Sequence, residues 1–289
     1  MAQQKSSFVK IPASIIVLKA LSYLIPTNFL RTFFYLNLIY KPRRLLQNLI
    51  GGFYRIDHVY SVIGEATRYY KGSFSILEFG VAGGGSFTKM LYATKYLKVA
   101  DRVTVHGFDS FEGMHSTDDR RDLDLVTDDD WVEGQFKSSY EKLNDYCRKH
   151  YPNYRLHKGM FHETLTDALI AELERTPPIL VWIDCDYYTS SRVVMERLVP
   201  VLPNGCVIYF DEPEFNYGSR FSGEMRLIHE INQGEFGSHI ELVLDPALSL
   251  NTYRIYRFIN ADRDSTYEPV SKFNKAVRSK TGTNDSPLP

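Results

Sequence analysis

Cysteine is scarce in this chain: three residues, Cys147, Cys185 and Cys206, among 289. No spacing among them suits a zinc site and no signal-peptide pattern is present, so a reducing compartment without disulfides is expected, with the cytoplasm as the location. Long uninterrupted apolar runs are also missing. Ile11–Ile25 and Phe29–Ile50 are apolar and aromatic, but Lys19 and Arg31 interrupt them short of the roughly 18 to 20 residues a spanning helix needs. Acidic residues are absent before Asp57, although the whole chain carries a net charge of only -1. Repeats and low-complexity tracts are absent too, and with 44% hydrophobic residues the composition excludes disorder, collagen and a multi-pass membrane protein.

What the N-terminal region does have is positive charge: Lys5, Lys10, Lys19, Arg31, Lys41, Arg43, Arg44 and Arg55 all precede the first acid. Two readings of this basic, apolar segment follow. It is a helical cap packed on the core or on a partner subunit, or a basic amphipathic helix pair making peripheral membrane contact through residues 1–56. The cap is preferred, because apolar N-terminal helices are commonly core elements. Nucleic-acid binding is not expected, since the cations are spread thinly rather than gathered into a patch.

Beyond this segment, short apolar runs alternate with helical patterns, which predicts an α/β fold with a doubly wound, mostly parallel sheet. Strands are expected at Ser75–Phe79, Arg102–Phe108, Tyr154–His157, Ile179–Ile183 and Cys206–Phe210, with an antiparallel pair at His239–Val243 and Tyr253–Phe258. Helices are expected from the glycine run to Leu97, over Glu163–Arg175 and over Ser190–Leu202, the last closing a βαβ crossover. The expected organisation is a helical segment over 1–70, a core domain over 71–260 with a lid-like insertion over 115–151, and a poorly ordered polar tail over 261–289.

The first chemical motif is EFGVAGGGS, Glu78–Ser86, a strand-to-helix turn whose glycines let a ligand approach the backbone. It departs from the dinucleotide fingerprint and carries an acid two residues before the first glycine, which suits a cationic ligand. Asp109, at the end of the second strand, can accept both hydroxyls of a ribose. S-adenosylmethionine, adenosine-bearing and cationic, fits both carboxylates. The second constellation is Asp184-Cys185-Asp186 after one strand and Asp211-Glu212 after the next, four carboxylates beside the same crevice. Mg²⁺ would offset their repulsion and lower the pKa of an acceptor hydroxyl. Cys185 sits between acids that raise its pKa, which argues against a nucleophilic thiolate.

EFGVAGGGS, GFDSFEGM (Gly107–Met114), KGMFHETL (Lys158–Leu165), WIDCDYYTS and VIYFDE, in this order, resemble the class I S-adenosylmethionine-dependent methyltransferases of the macrocin O-methyltransferase type, which act on antibiotic sugars. The resemblance covers about Ile76 to Glu230. It implies a Rossmann-like class I methyltransferase fold, Mg²⁺-assisted O-methylation of a sugar hydroxyl on a glycosylated metabolite or cell-surface glycan, and a homo-oligomer. By resemblance, Glu78, Gly80, Gly83, Gly84 and Ser86 hold the methionine part of the cofactor, Asp109 and Ser110 contact its ribose, and Phe161 lies near the adenine. Asp184, Asp211 and Glu212 correspond to the metal ligands and Asp186 to the general base. Glu212 departs from the family's Asp-Asp pair, and its extra methylene moves the carboxylate.

A Trp-x-x-Gly-x-Phe segment, Trp131 to Phe136, gives the 115–151 insertion the look of a substrate lid in that family. Tyr187, Tyr188, Tyr217 and Arg220 are candidate acceptor contacts, and His157, His162 and His229 are alternative bases. Two other readings stay open: a noncatalytic methyltransferase-like regulatory subunit, left open by Glu212, and an NAD-dependent oxidoreductase on the same sheet.

Overall fold

A computed structural model describes residue 17 and residues 33–127, 130–249 and 254–270. The expectations for residues 1–16 and 18–32 and for the end of the tail, 271–289, lie outside the described residues. Two compact units divide the chain, 1–55 and 56–289. In the first, a π-helical stretch at Tyr35–Tyr40 leads into helix α1, Lys41–Tyr69. From Ile56 onward α1 belongs to the second unit, where Val59, Val62, Ile63 and Ala66 recur at helical spacing and are buried.

The second unit is built on a seven-stranded sheet. Its strands are β1 (Phe74–Phe79), β2 (Val103–Asp109), β3 (Tyr154–Lys158), β4 (Pro178–Ile183), β5 (Val207–Phe210), β6 (Ile240–Leu244) and β7 (Ile255–Asn260). They lie in the order β3-β2-β1-β4-β5-β7-β6, all parallel except β7, which is antiparallel to both β5 and β6. This is the Rossmann-like architecture that the sequence predicts. Strands β1, β4 and β5 are buried on both faces, which is why β4 and β5 read as continuous apolar runs. Alternate residues enter different cores: Leu77, Phe79, Val181, Ile183, Ile208 and Phe210 on one side, Phe74, Ile76, Leu180, Trp182, Val207 and Tyr209 on the other.

Between the strands lie α2 (Gly85–Tyr96), α3 (Tyr140–His150), α4 (Phe161–Thr164), α5 (Asp167–Arg175), α6 (Tyr188–Leu198), α7 (Gly223–Asn232) and α8 (Pro246–Ser249). Three expectations need correction. The single helix expected over Glu163–Arg175 is two, because Thr166 caps α5 by accepting the N–H of Leu169. The insertion is not one long loop: its last part is α3, capped by the Ser139 hydroxyl and anchored by buried Leu143 and Cys147. The tail does not begin at residue 261. Tyr267 stacks on Tyr70 at 4.9 Å and donates from its hydroxyl to the Pro178 carbonyl at 3.1 Å, while Pro269 bridges to Tyr70.

Candidate active site

The strand order reverses around β1, whose neighbours β2 and β4 are reached by crossovers running in opposite directions. Ligands of open α/β sheets lie outside the carboxyl ends of such strands. Here a cavity of about 450 Å³ opens at that place, lined by the loops after β1, β2, β4 and β5.

The loop after β1 is shaped by glycine at a position where nothing else fits. Gly80 has φ +92, and a Cβ built on it would stand 1.7 Å from the carbonyl oxygen of Asp184. The first turns after β1 and β4 are therefore in backbone contact, with the Asp184 N–H donating to the Phe79 carbonyl at 2.8 Å. Gly83 has open space where a side chain would be. Gly84, at φ +81, packs instead against Leu143 of α3 and does not line the cavity.

Asp109 fixes the loop from the next strand. Its Oδ2 accepts the N–H of Ala82 at 2.7 Å and its Oδ1 that of Phe111 at 2.6 Å. Each oxygen keeps capacity for a further donor. Ser110 lies beside it, and Phe161 of α4 meets the far wall edge-on to Phe79, with centroids 5.4 Å apart. Glu78 differs from the expectation. Its carboxyl is fully buried behind the loop, accepts the Ser86 hydroxyl, and does not reach the cavity. Burial, opposed by that hydrogen bond, pushes its pKa well above the usual carboxylate range.

Asp184, Asp186, Asp211 and Glu212 all line the other half. Asp186 sits in the left-handed region, φ 59, and burial together with the charges of Glu212 and Asp211 pushes its pKa up to about 7. Asp184 accepts the Trp182 indole N–H at 3.3 Å. Asp211 accepts the Tyr209 hydroxyl at 2.7 Å, and Arg254, itself paired with Glu214 at 2.8 Å, stands 3.7 Å away. These are the hard oxygen donors a Mg²⁺ would take. Yet no three His, Cys, Asp or Glu side chains among the described residues are close enough together to hold a metal ion. The expected metal ligands share a cavity without forming a ready coordination site.

The insertion forms the roof. His115, Trp131 and Phe136 line the cavity, together with Gly113 and Met114 just before it. Its anchor is Asp122, buried, whose carboxylate accepts the N–H of Thr189 at 2.9 Å and the Thr189 hydroxyl at 2.7 Å, capping the first turn of α6. Arg121 accepts the N–H of Gly223 through its carbonyl at 2.8 Å, and Asn216 exchanges hydrogen bonds with Leu123 and Leu125.

Of the other candidates, Tyr187 reaches the cavity and Tyr188, Tyr217, Arg220, His157, His162 and His229 do not. Tyr188 is buried against Arg192 and Glu230, and His157 pairs with His106 at 3.1 Å along the sheet. Burial is the first cause of the raised Cys185 pKa, with the acids adding to it. No sequence motif points to Glu224. It occupies the buried face of α7 with Leu227, Ile228 and Ile231, an i, i+3, i+4, i+7 pattern that marks it as an acid at a core position. Its Oε2 accepts the N–H of Glu212 at 2.9 Å and its Oε1 has no hydrogen-bond partner.

The fit to S-adenosylmethionine rests on charge and space. Five carboxylates and no Lys or Arg occur among the described lining residues, which suits a sulfonium cation and not a pyrophosphate. Comparison with known proteins agrees. The macrocin O-methyltransferase (TylF) family profile matches residues 45–234. The crystal structure of CalS11, a calicheamicin methyltransferase, has the same fold at 21% identity and TM-score 0.53, covering 91% of this chain and 98% of the other. The O-methyltransferase NovP matches at 19% identity and TM-score 0.48, over 73% and 80% of the two chains. No curated protein sequence matches. With about two thirds of its length matched, this chain belongs to the macrocin O-methyltransferase family and is an S-adenosylmethionine-dependent O-methyltransferase.

Proposed function

We propose that this enzyme methylates a sugar hydroxyl, carried by a glycosylated metabolite or a cell-surface glycan. One observation carries the reading: the glycine loop after β1, Asp109 after β2 and Asp186 after β4 line a single cavity. S-adenosylmethionine, when bound, supplies a methyl group on a sulfonium that a hydroxyl oxygen can displace in line. In this reading the backbone of Gly80, Gly83 and Ser86 cradles the methionine part, Asp109 and Ser110 hold the ribose, and Phe161 covers the adenine. Asp186 takes the hydroxyl proton as the oxygen–carbon bond forms, the sulfur keeping the electron pair of the bond that breaks. Trp131 and Tyr187 offer aromatic faces to the sugar ring.

Asp184, Asp211 and Glu212 are the residues that would supply ligands to Mg²⁺. Because they do not gather into a site, no step is assigned to the metal. Both parts are tested by the thermal shift of the purified protein with S-adenosylhomocysteine, in Mg²⁺ and in EDTA, because a ligand that binds only the folded state raises apparent stability. A shift with the nucleoside supports the cofactor site, and none at saturating ligand overturns it. A further rise in Mg²⁺, reversed by EDTA, assigns the three carboxylates to the metal; an identical shift in both removes it.

A further inference from the structure

The short helical stretch that enters α1 leaves several large apolar side chains in solvent. Phe34, Leu36 and Leu38 are 43%, 41% and 63% exposed, and Phe33 lies edge-on to Phe34 with centroids 6.0 Å apart. Elsewhere on the helical path the apolar residues do what core residues do: Val59, Val62, Ile63 and Ala66 are buried. Cations follow the exposed patch directly. Lys41 is exposed and donates to the Asn37 side chain at 3.0 Å, and Arg43 and Arg44 come next in sequence. The sequence carries no acid before Asp57. Uncovered aromatic and aliphatic side chains beside a run of basic residues are the composition of an interfacial helix. Among the described residues no helix is long and apolar enough to cross a membrane.

We propose that the segment Phe34–Arg44 docks this enzyme on an anionic lipid surface, with Phe34, Leu36 and Leu38 entering the headgroup–acyl boundary and Lys41, Arg43 and Arg44 meeting lipid phosphates. Charge complementarity selects this occupant. The same segment of a second copy would set cations against cations, whereas the cytoplasmic leaflet and anionic vesicles present the opposite sign. The inference is independent of the acceptor.

The test is co-sedimentation of the full chain with phosphatidylcholine vesicles, with and without about 30% phosphatidylglycerol, an anionic content giving the surface potential that attracts basic segments. Binding is expected only to the anionic vesicles and is expected to fall when salt is raised to about 0.5 M, where screening shortens to a few ångströms. The variant Phe34→Gln, Leu36→Gln, Leu38→Gln should lower partitioning roughly tenfold, as loss of buried apolar area requires. A second variant, Lys41→Gln, Arg43→Gln, Arg44→Gln, should lower it on anionic vesicles while keeping the thermal shift with S-adenosylhomocysteine. Absence of sedimentation, equal binding to neutral vesicles, or full binding by both variants overturns the proposal. So does a dimer, seen by light scattering, that the apolar variant dissociates while vesicles bind neither protein.

Discussion

Glu224 accepts the backbone N–H of Glu212 at 2.9 Å, so a buried acid on α7 fixes the turn that carries a cavity carboxylate. Asp186, Asp211 and Asp184 all act on Glu224, and with burial as the first cause its pKa stands well above the ordinary range. Glu224→Gln keeps an acceptor for Glu212 and removes a group whose charge is unwelcome there. Its stability should stay within about 1 kcal/mol of the parent. Glu224→Ala leaves a donor without its partner and a void in the core, and should cost about 2–4 kcal/mol. Urea unfolding of the two variants decides it; equal losses would show that the hydrogen bond to Glu212 contributes nothing.

Gly80 and Gly83 separate folding from cofactor binding. Gly80→Ala puts a methyl group 1.7 Å from the Asp184 carbonyl at φ +92, so the turns after β1 and β4 must part. A loss of at least about 2 kcal/mol is expected, together with the response to S-adenosylhomocysteine. Gly83→Ala meets nothing within 4 Å. It should leave the melting temperature without ligand nearly unchanged and shrink the ligand-induced shift, because the added methyl occupies only space a ligand would use. A full ligand shift in Gly83→Ala would move the cofactor away from this loop.

Much of this architecture was legible because buried parallel strands have few compositional options. PILVWI and VIYF are apolar on both faces and FSILEF is largely so, which marks all three as buried strands. Helix α3 was not legible, since YEKLNDYCRKH is mostly polar and only Leu143 and Cys147 are buried. At the site, residues immediately after the strands could be placed, because a strand's carboxyl end points to the crevice whatever lies around it. Glu78 could not, because the burial of its carboxyl behind the loop depends on how that loop folds back over it. Gly84 owes its tight place to Leu143, and Asp211 has Arg254 near it through β7, both across long sequence separations that periodicity does not encode.

Asp186 is the residue on which the chemistry should turn. Asp186→Asn preserves size and can keep the local backbone, yet it cannot take a proton from the acceptor. Methyl transfer to any accepted sugar should fall by about 10²–10⁴, the usual contribution of a general base. Affinity for S-adenosylhomocysteine, measured by calorimetry, should change less than about threefold, since the cofactor contacts assigned here lie on the loops after β1 and β2 and on α4; that change corresponds to well under 1 kcal/mol. Undiminished turnover would remove Asp186 from the mechanism, and a matching loss of nucleoside affinity would make it a binding residue.

His58 sets a pH limit on stability. It is buried on α1, its ring stacked on Tyr209 at 5.0 Å and Trp182 at 5.3 Å, and its Nε2 has no hydrogen-bond partner. Burial lowers its pKa from 6.5 to about 4. The unfolded chain therefore takes up a proton near pH 6.5 that the folded chain refuses until near pH 4. The contribution of His58 is complete above pH 6.5, is lost progressively as pH falls toward 4, and amounts to about 3 kcal/mol over that window. His58→Phe keeps the aromatic stack and removes the titration. Urea unfolding at about pH 7 and about pH 4.5 should show the variant losing roughly 2–3 kcal/mol less than the parent across the interval. His106, whose pKa is also lowered, to about 3, remains in both proteins and cancels from the difference. Parallel losses in the two proteins would mean that His58 is already protonated, or already exposed, in the folded chain.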